Sequence, residues 1–266
     1  MTQLQYCRYE KRDHVLYITI TRPEVMNALH FMANAELGGV WDEFAKDDDL
    51  WIAVLTGEGD RAFSAGNDLK YTAELSRMKP EERPKFIPAS GGFGGITDRY
   101  DLFKPTIARV NGFALGGGFE MALACDIIVA ADHAEVGLPE PRRGLIAGAM
   151  GVHRLPRQAP LKAAMGYMLT GRHIPARRAY ELGLVTEVVP LAELDGAVER
   201  TVADIRRCAP LSVRSTKESA MRGLDMTLQE AGKSEYQWEM ARRKSEDAVE
   251  GPRAFAEKRE PQWTGR

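Results

Sequence analysis

Hydrophobic and polar residues alternate with period two over HVLYITIT, residues 14 to 21, where Leu16, Ile18 and Ile20 share one face and Arg22-Pro23 stops the run. This predicts a β-strand. The period then lengthens: Ala33, Leu37, Val40, Trp41 and Phe44 recur at helical spacing, and the acidic run Asp47 to Asp49 closes the helix. WIAVLT, residues 51 to 56, reads as a short buried strand ended by Gly57, and Thr106 to Val110 before Asn111-Gly112 reads as another. Gly116 to Ala124 is the next predicted helix and Ile127 to Ala130 the next strand. Strand, turn, helix and strand thus recur in order, the signature of an α/β chain, with no short sequence repeat.

Residues 71 to 96 break this rhythm. Lys79 to Lys85 carries two prolines and five charges, and Pro88 leads into the glycine-rich SGGFGG, a composition that favours a mobile surface loop or lid. From about Leu161 the pattern turns helical. Leu194, Val198, Val202 and Ile205 form one amphipathic stripe, which Pro210 ends. The expected division is a mixed core over residues 1–190 and a helical C-terminal region over 191–266.

Composition narrows the class. The 266 residues are 44% hydrophobic and 28% charged, which excludes disorder and collagen-like repeats. The formal charge of -2 gives no global field toward nucleic acid or an anionic membrane. Arg206, Arg207, Arg214 and Lys217 form a modest basic grouping without aromatic residues for base stacking, so no nucleic-acid partner is expected. Cys7, Cys125 and Cys208 are far apart and in no CxxC pair, which fits a reducing compartment and predicts a cytoplasmic location. The most apolar stretch, Val110 to Ala131, is interrupted by Glu120 and Asp126, so it reads as buried protein and no membrane association is expected.

Three segments carry candidate chemistry. In AFSAGNDL, residues 62 to 69, Asn67 and Asp68 suit a turn and an N-cap. In NGFALGGGFEMALACD, residues 111 to 126, a strand runs through Gly116-Gly117-Gly118 into a helix. The first N–H groups of a helix lack intrahelical partners and carry partial positive charge, so an oxyanion is stabilised there, and glycines allow close approach. Glu120 lies three residues beyond Gly117 on the same helical face. In VGLPEPRRG, Pro139 and Pro141 restrict the backbone on both sides of Glu140. Tight strand–helix packing, helix capping and an exposed loop carboxylate remain open as bland alternatives for these segments. No GxxxxGK[ST], HExxH or GxSxG occurs, and the five histidines show no ligand spacing, so no metal site is expected.

In this order and spacing, AFSAGNDL, NGFALGGGFEMALACDIIVA and LPEPRRGL resemble the crotonase superfamily, the enoyl-CoA hydratase/isomerase family. The likeness runs from RPEVMNAL at 22 to 29 through the tail EGPRAFAEKREPQWTGR at 250 to 266. It implies an α/β fold, a spiral of repeated ββα units with a helical C-terminal trimerisation region, and a homotrimer or dimer of trimers. It also implies an acyl-CoA thioester substrate, with coenzyme A as part of the substrate and no separate cofactor.

Carried over by motif, the resemblance implies an oxyanion hole from the main-chain N–H groups of Asn67 and Gly117. Glu120 and Glu140 are implied as the acid–base pair of an enoyl-CoA hydratase, Glu120 assisting the water as base and Glu140 supplying the Cα proton. Carnitinyl-CoA dehydration is the alternative within the same chemistry, and double-bond isomerisation a further one. Ala28 and Ala65 are implied to lie against the adenine of coenzyme A. Lys70 and, from a neighbouring subunit, Phe255 and Lys258 are implied to serve its nucleotide end. Residues 71 to 96 are implied to cover the acyl group. Met150 stands where many hydratases of this family have glycine, which leads us to expect a narrower pocket behind Glu140.

Overall fold

The computed structural model describes residues 1–266. An N-terminal pair of strands, β1 (Thr2–Gln3) and β2 (Cys7–Arg12), leads to β3 (Val15–Ile20), whose alternation the structure reproduces: Val15, Leu16, Ile18 and Ile20 are buried. Helix α1 (Phe31–Lys46) buries Ala33, Leu37, Val40, Trp41 and Phe44, the stripe read from their spacing. The chain continues through β4 (Ile52–Gly57), β5 (Ala62–Ser64), α2 (Leu69–Arg77), β6 (Thr106–Val110), β7 (Phe113–Leu115), α3 (Gly117–Ala124), β8 (Ile127–Ala131) and β9 (Glu135–Gly137). Then come α4 (Gly151–Gln158), α5 (Leu161–Thr170), β10 (Ile174–Pro175), α6 (Ala176–Glu181) and β11 (Glu187–Val189). Five helices close the chain: α7 (Leu194–Arg206), α8 (Pro210–Gly223), α9 (Leu228–Lys233), α10 (Gln237–Arg243) and α11 (Asp247–Glu257).

The strands form two sheets. A seven-stranded sheet has the order β1-β2-β3-β4-β6-β8-β11, antiparallel at its β1-β2-β3 edge and parallel from β3 onward. A four-stranded sheet has the order β10-β9-β7-β5, with β9, β7 and β5 parallel. Successive strands therefore alternate between sheets, β4 to β5 and β6 to β7, before a helix returns the chain. Each repeat is a strand, a strand and a helix. One hydrophobic cluster fills the space, with Trp41, Phe44, Phe63 and Phe119 among its fully buried side chains. No helix is long and apolar enough to cross a membrane.

Two expectations change. Residues 71–77 are helical rather than loop, because the Asp68 side chain caps α2 by accepting the Tyr71 N–H at 3.1 Å. SGGFGG is not a free surface segment either. Gly94 and Gly95 are buried against α1, where the Trp41 indole donates to the Gly94 carbonyl at 3.0 Å and the Asn34 side chain accepts the Gly94 N–H at 2.7 Å. Gly95 has φ +69, and a Cβ there would lie 2.6 Å from the Gly38 Cα, so the composition that suggested mobility serves close packing. Residues 83–88 are exposed and without helix or strand.

The tail ties the C-terminal helices to one another. The Trp263 indole donates to the Arg207 carbonyl at 2.8 Å, and the Asp247 carboxylate accepts the Thr264 and Gly265 N–H groups at 2.8 and 3.0 Å.

Candidate active site

The second sheet explains why three distant segments meet. β5, β7 and β9 are parallel neighbours, so the turns that follow them leave the same edge of that sheet. Those turns are Ala65-Gly66-Asn67, Gly116-Gly117 and Leu138-Pro139-Glu140, one from each candidate motif.

The first two present main-chain amides. Leu29 forms a parallel bridge with Asn67: the Leu29 N–H donates to the Gly66 carbonyl at 2.8 Å, and the Asp68 N–H donates to the Leu29 carbonyl at 3.0 Å. These bonds use the groups flanking Asn67 and turn its own N–H to the other side, where it finds no acceptor in the fold. Gly117 opens α3, whose first helical bond runs from the Glu120 N–H to the Gly116 carbonyl at 3.0 Å, so the Gly117 N–H is also without an internal partner. The two turns touch. A Cβ on Gly66, which has φ +83, would lie 2.7 Å from the Gly117 nitrogen.

The carboxylates occupy unlike settings. Glu120 is 3% exposed on a helix buried from Gly117 to Leu123, and its Oε1 accepts the Gly151 N–H at 2.7 Å. Burial pushes its carboxyl up to about 7; the Gly151 N–H opposes this, and the nearby Glu140 adds to it. Glu140 is half-buried in the short helical turn Glu140–Arg143, and its Oε2 is shielded from solvent without a protein hydrogen-bond partner. Burial raises its pKa also. A Cβ on Gly116 would lie 2.9 Å from Glu140 Oε1, which places this carboxylate beside the glycine turn. The arrangement is two unpartnered N–H donors next to two carboxyl groups that burial makes harder to ionise.

The fold brings Asn67, Gly117, Glu120 and Glu140 together, and Ala28 and Ala65 close to them. Ala28 precedes the bridging Leu29; its N–H donates to Val25 at 3.1 Å and its carbonyl accepts from Arg22. The Ala65 N–H donates to Met26 at 2.9 Å, while its carbonyl accepts nothing. Lys70 is exposed in the first turn of α2. Phe255 and Lys258 are exposed at the end of α11, in a region whose tail docks beside Trp51, at the start of β4. No hydrogen bond or ion pair within the protomer joins Phe255 or Lys258 to the Ala65 to Asn67 turn. A separate open groove of about 740 Å³ between α11 and the tail is lined by Glu250, Glu257 and Arg259, already paired with one another.

Over residues 10–266 the sequence matches the profile described as Enoyl-CoA hydratase/isomerase. The chain belongs to the enoyl-CoA hydratase/isomerase family. Within this family it is 39% identical over 261 residues to a carnitinyl-CoA dehydratase of Proteus mirabilis, covering 96% of this chain and 97% of that one. It is 40% identical over 262 residues to the carnitinyl-CoA dehydratase of Escherichia coli K12, with coverage of 96% and 97%. Among solved structures it resembles an enoyl-CoA hydratase from Mycobacterium tuberculosis H37Rv, with a TM-score of 0.89, 38% identity and coverage of 98% and 99%. A carnitinyl-CoA hydratase from Mycobacterium avium gives a TM-score of 0.75 at 40% identity, covering 99% and 100%. The expected crotonase-type α/β fold and hydratase-family enzyme class are thereby established, and the family's acyl-CoA thioester substrate class with them.

Several residues at this family's site escaped the sequence reading. Phe93 stands over the Gly116-Gly117 turn, its ring 2.5 Å from where a Gly117 Cβ would be. Arg154, one turn along α4 from Gly151, donates to the Thr97 carbonyl at 2.8 Å, and its charge eases the ionisation of Glu120. Both are long-range contacts with no local signature. Met150 had a signal in its place in the motif: it caps α4 with φ 76, the left-handed backbone that favours glycine.

Proposed function

We propose that the chain catalyses reversible addition of water across the α,β-double bond of an acyl-CoA thioester. The observation that carries this reading is the convergence of the free Asn67 and Gly117 amides with Glu120 and Glu140 at one edge of the second sheet. As the water oxygen bonds to Cβ, the π electrons move through Cα to the thioester oxygen. The two N–H groups stabilise that negative charge, and losing one such donor typically costs about 2.7–4 kcal/mol. One carboxylate takes the water proton and the other carboxyl group delivers a proton to Cα, which completes the addition.

The same groups serve the reverse reaction, in which a protonated Glu120 assists the departing hydroxyl and Glu140 accepts the Cα proton. The 39–40% identity to carnitinyl-CoA dehydratases over nearly the full chain supports dehydration of a carnitinyl-CoA-like 3-hydroxyacyl thioester as the second reading.

Coenzyme A enters only as part of the substrate. Its adenine is proposed to lie against Ala28 and the free Ala65 carbonyl, with Lys70 nearby and Phe255 and Lys258 supplied by a neighbouring subunit. A homotrimer or dimer of trimers in the cytoplasm completes the reading. The exposed Leu161, Met165 and Leu169, spaced four apart on α5, support association, and three free cysteines support a reducing compartment. Sedimentation should give a trimer or hexamer mass; a monomer at micromolar concentration contradicts the subunit assignment.

The deciding assay measures loss of the conjugated-thioester absorbance on a panel of enoyl-CoA esters that includes crotonyl-CoA and crotonobetainyl-CoA. Turnover is expected, and its ranking separates the two readings. No turnover on any ester refutes both.

A further inference from the structure

Arg22 lies between the two ends of the proposed substrate site. One guanidinium nitrogen donates to the Ala28 carbonyl, and the other donates to Asp68 Oδ2 at 3.1 Å. The Arg22 and Asp68 side chains are 13% and 8% exposed. Both ends of the link are anchored. The Arg22 N–H donates to Asn27 Oδ1 at 3.0 Å, and the Asn27 amide donates to the Ala62 carbonyl in β5 at 2.7 Å. Asp68 in turn caps α2, and its N–H holds the Leu29 carbonyl. One planar fork therefore bonds the turn proposed to meet adenine and the residue that follows the Asn67 amide. A planar guanidinium that bridges two different acceptors fixes their separation as well as the local charge.

We propose that Arg22 is a positioning residue that couples the nucleotide end of coenzyme A to the oxyanion end of the site. Contact at Ala28 steadies the guanidinium, the guanidinium steadies Asp68, and Asp68 holds the Asn67 N–H where the thioester oxygen gains charge. The inference rests on the placement of adenine at Ala28 and Ala65 given above. Its physical content is that binding energy from a remote part of a substrate raises kcat only when it is transmitted to the reacting centre.

The test compares kcat and KM for an enoyl-CoA ester and for the corresponding N-acetylcysteamine thioester, which lacks the nucleotide. Wild type, Arg22→Gln and Asp68→Asn are assayed, with thermal melting as the check on folding; either variant suffices if the other fails to fold. The wild type should turn over the CoA ester faster at saturation. In the variants, kcat for the CoA ester should fall tenfold or more, KM should change less than threefold, and the kcat ratio of the two esters should approach one.

A rise in KM at unchanged kcat would mean that Arg22 simply binds a phosphate, which overturns the proposal. A lower melting temperature with the wild-type ratio retained assigns it to stability alone and also overturns the coupling, while the adenine placement stands. Equal kcat for the two esters in the wild type with a lower KM for the CoA ester removes the coupling alone, and equal kcat with equal KM removes the adenine placement and this inference with it.

Discussion

Helix α3 and the segment from Pro139 to Gly151 each deliver one glutamate to the same place, by opposite means. α3 is enclosed on every side, and the Gly151 N–H clamps Glu120. The Pro139 to Gly151 segment is largely exposed, yet it leaves Glu140 with a shielded oxygen that no protein group satisfies. Identical side chains thus acquire different proton affinities and different freedom. The proposed hydration takes a proton from water and delivers one to Cα, and two carboxyl groups of unlike setting can divide that work.

The sharpest way to break this contrast is to neutralise each carboxylate. Glu120→Gln and Glu140→Gln should each lower kcat roughly a hundredfold or more. An unchanged rate in either variant removes that residue from the chemistry.

Stability should report the charge buried at Glu120. Because the folded-state pKa of Glu120 lies above its unfolded value, the folded protein holds the extra proton, and stability falls as pH rises from about 4.5 to about 7. Glu120→Gln has no charge to bury and should be more stable than wild type at pH 8, by up to about 3 kcal/mol. Denaturant melts at pH 5 and pH 8 check this; an equal difference at both pH values contradicts it.

A smaller perturbation sharpens the role of the clamp. A Cβ at residue 151 would lie 2.8 Å from Glu120 Cγ. Gly151→Ala should therefore cost about 1–3 kcal/mol of stability by overpacking, with a roughly tenfold to hundredfold loss of rate as Glu120 shifts. Wild-type kinetics in this variant would show that the clamp does not position Glu120.

The smallest expected effect is on titration. In Glu140→Gln the like charge is gone, so Glu120 should ionise more readily and its apparent pKa should move below about 7. Residual activity against pH, or the carboxyl stretch of Glu120 in infrared difference spectra, reads that shift. No movement would mean that the two groups do not interact.

The long periodic elements were legible in the sequence. The β3 alternation and the α1 stripe reappear as buried faces because period two and period 3.6 are imposed by backbone geometry. The second sheet was not legible. β5, β7 and β9 are three residues each, too short to show a period, and the pairing of β5 with β7 joins residues some fifty positions apart. Yet that sheet makes the site, and so the three motifs gained force only when taken together. The Asp68 cap of α2 was legible, but the run of the helix through residues 71–77 was not, because the charged, proline-bearing stretch that follows dominates the local composition. The bonds from Gly151 to Glu120 and from Arg22 to Asp68 span 31 and 46 residues and leave no mark on either local pattern.

The sealed surroundings of α3 also bear on how such an enzyme diversifies. Any side chain altered between Gly117 and Leu123 must be accommodated by neighbours already in contact, so the part of the chain proposed to handle electrons and protons is costly to revise. Phe86, Ile87, Leu145 and Ile146 face solvent and can be exchanged with little penalty to folding. Laboratory evolution toward new acyl groups should therefore collect its first changes in the exposed stretches that carry these four residues.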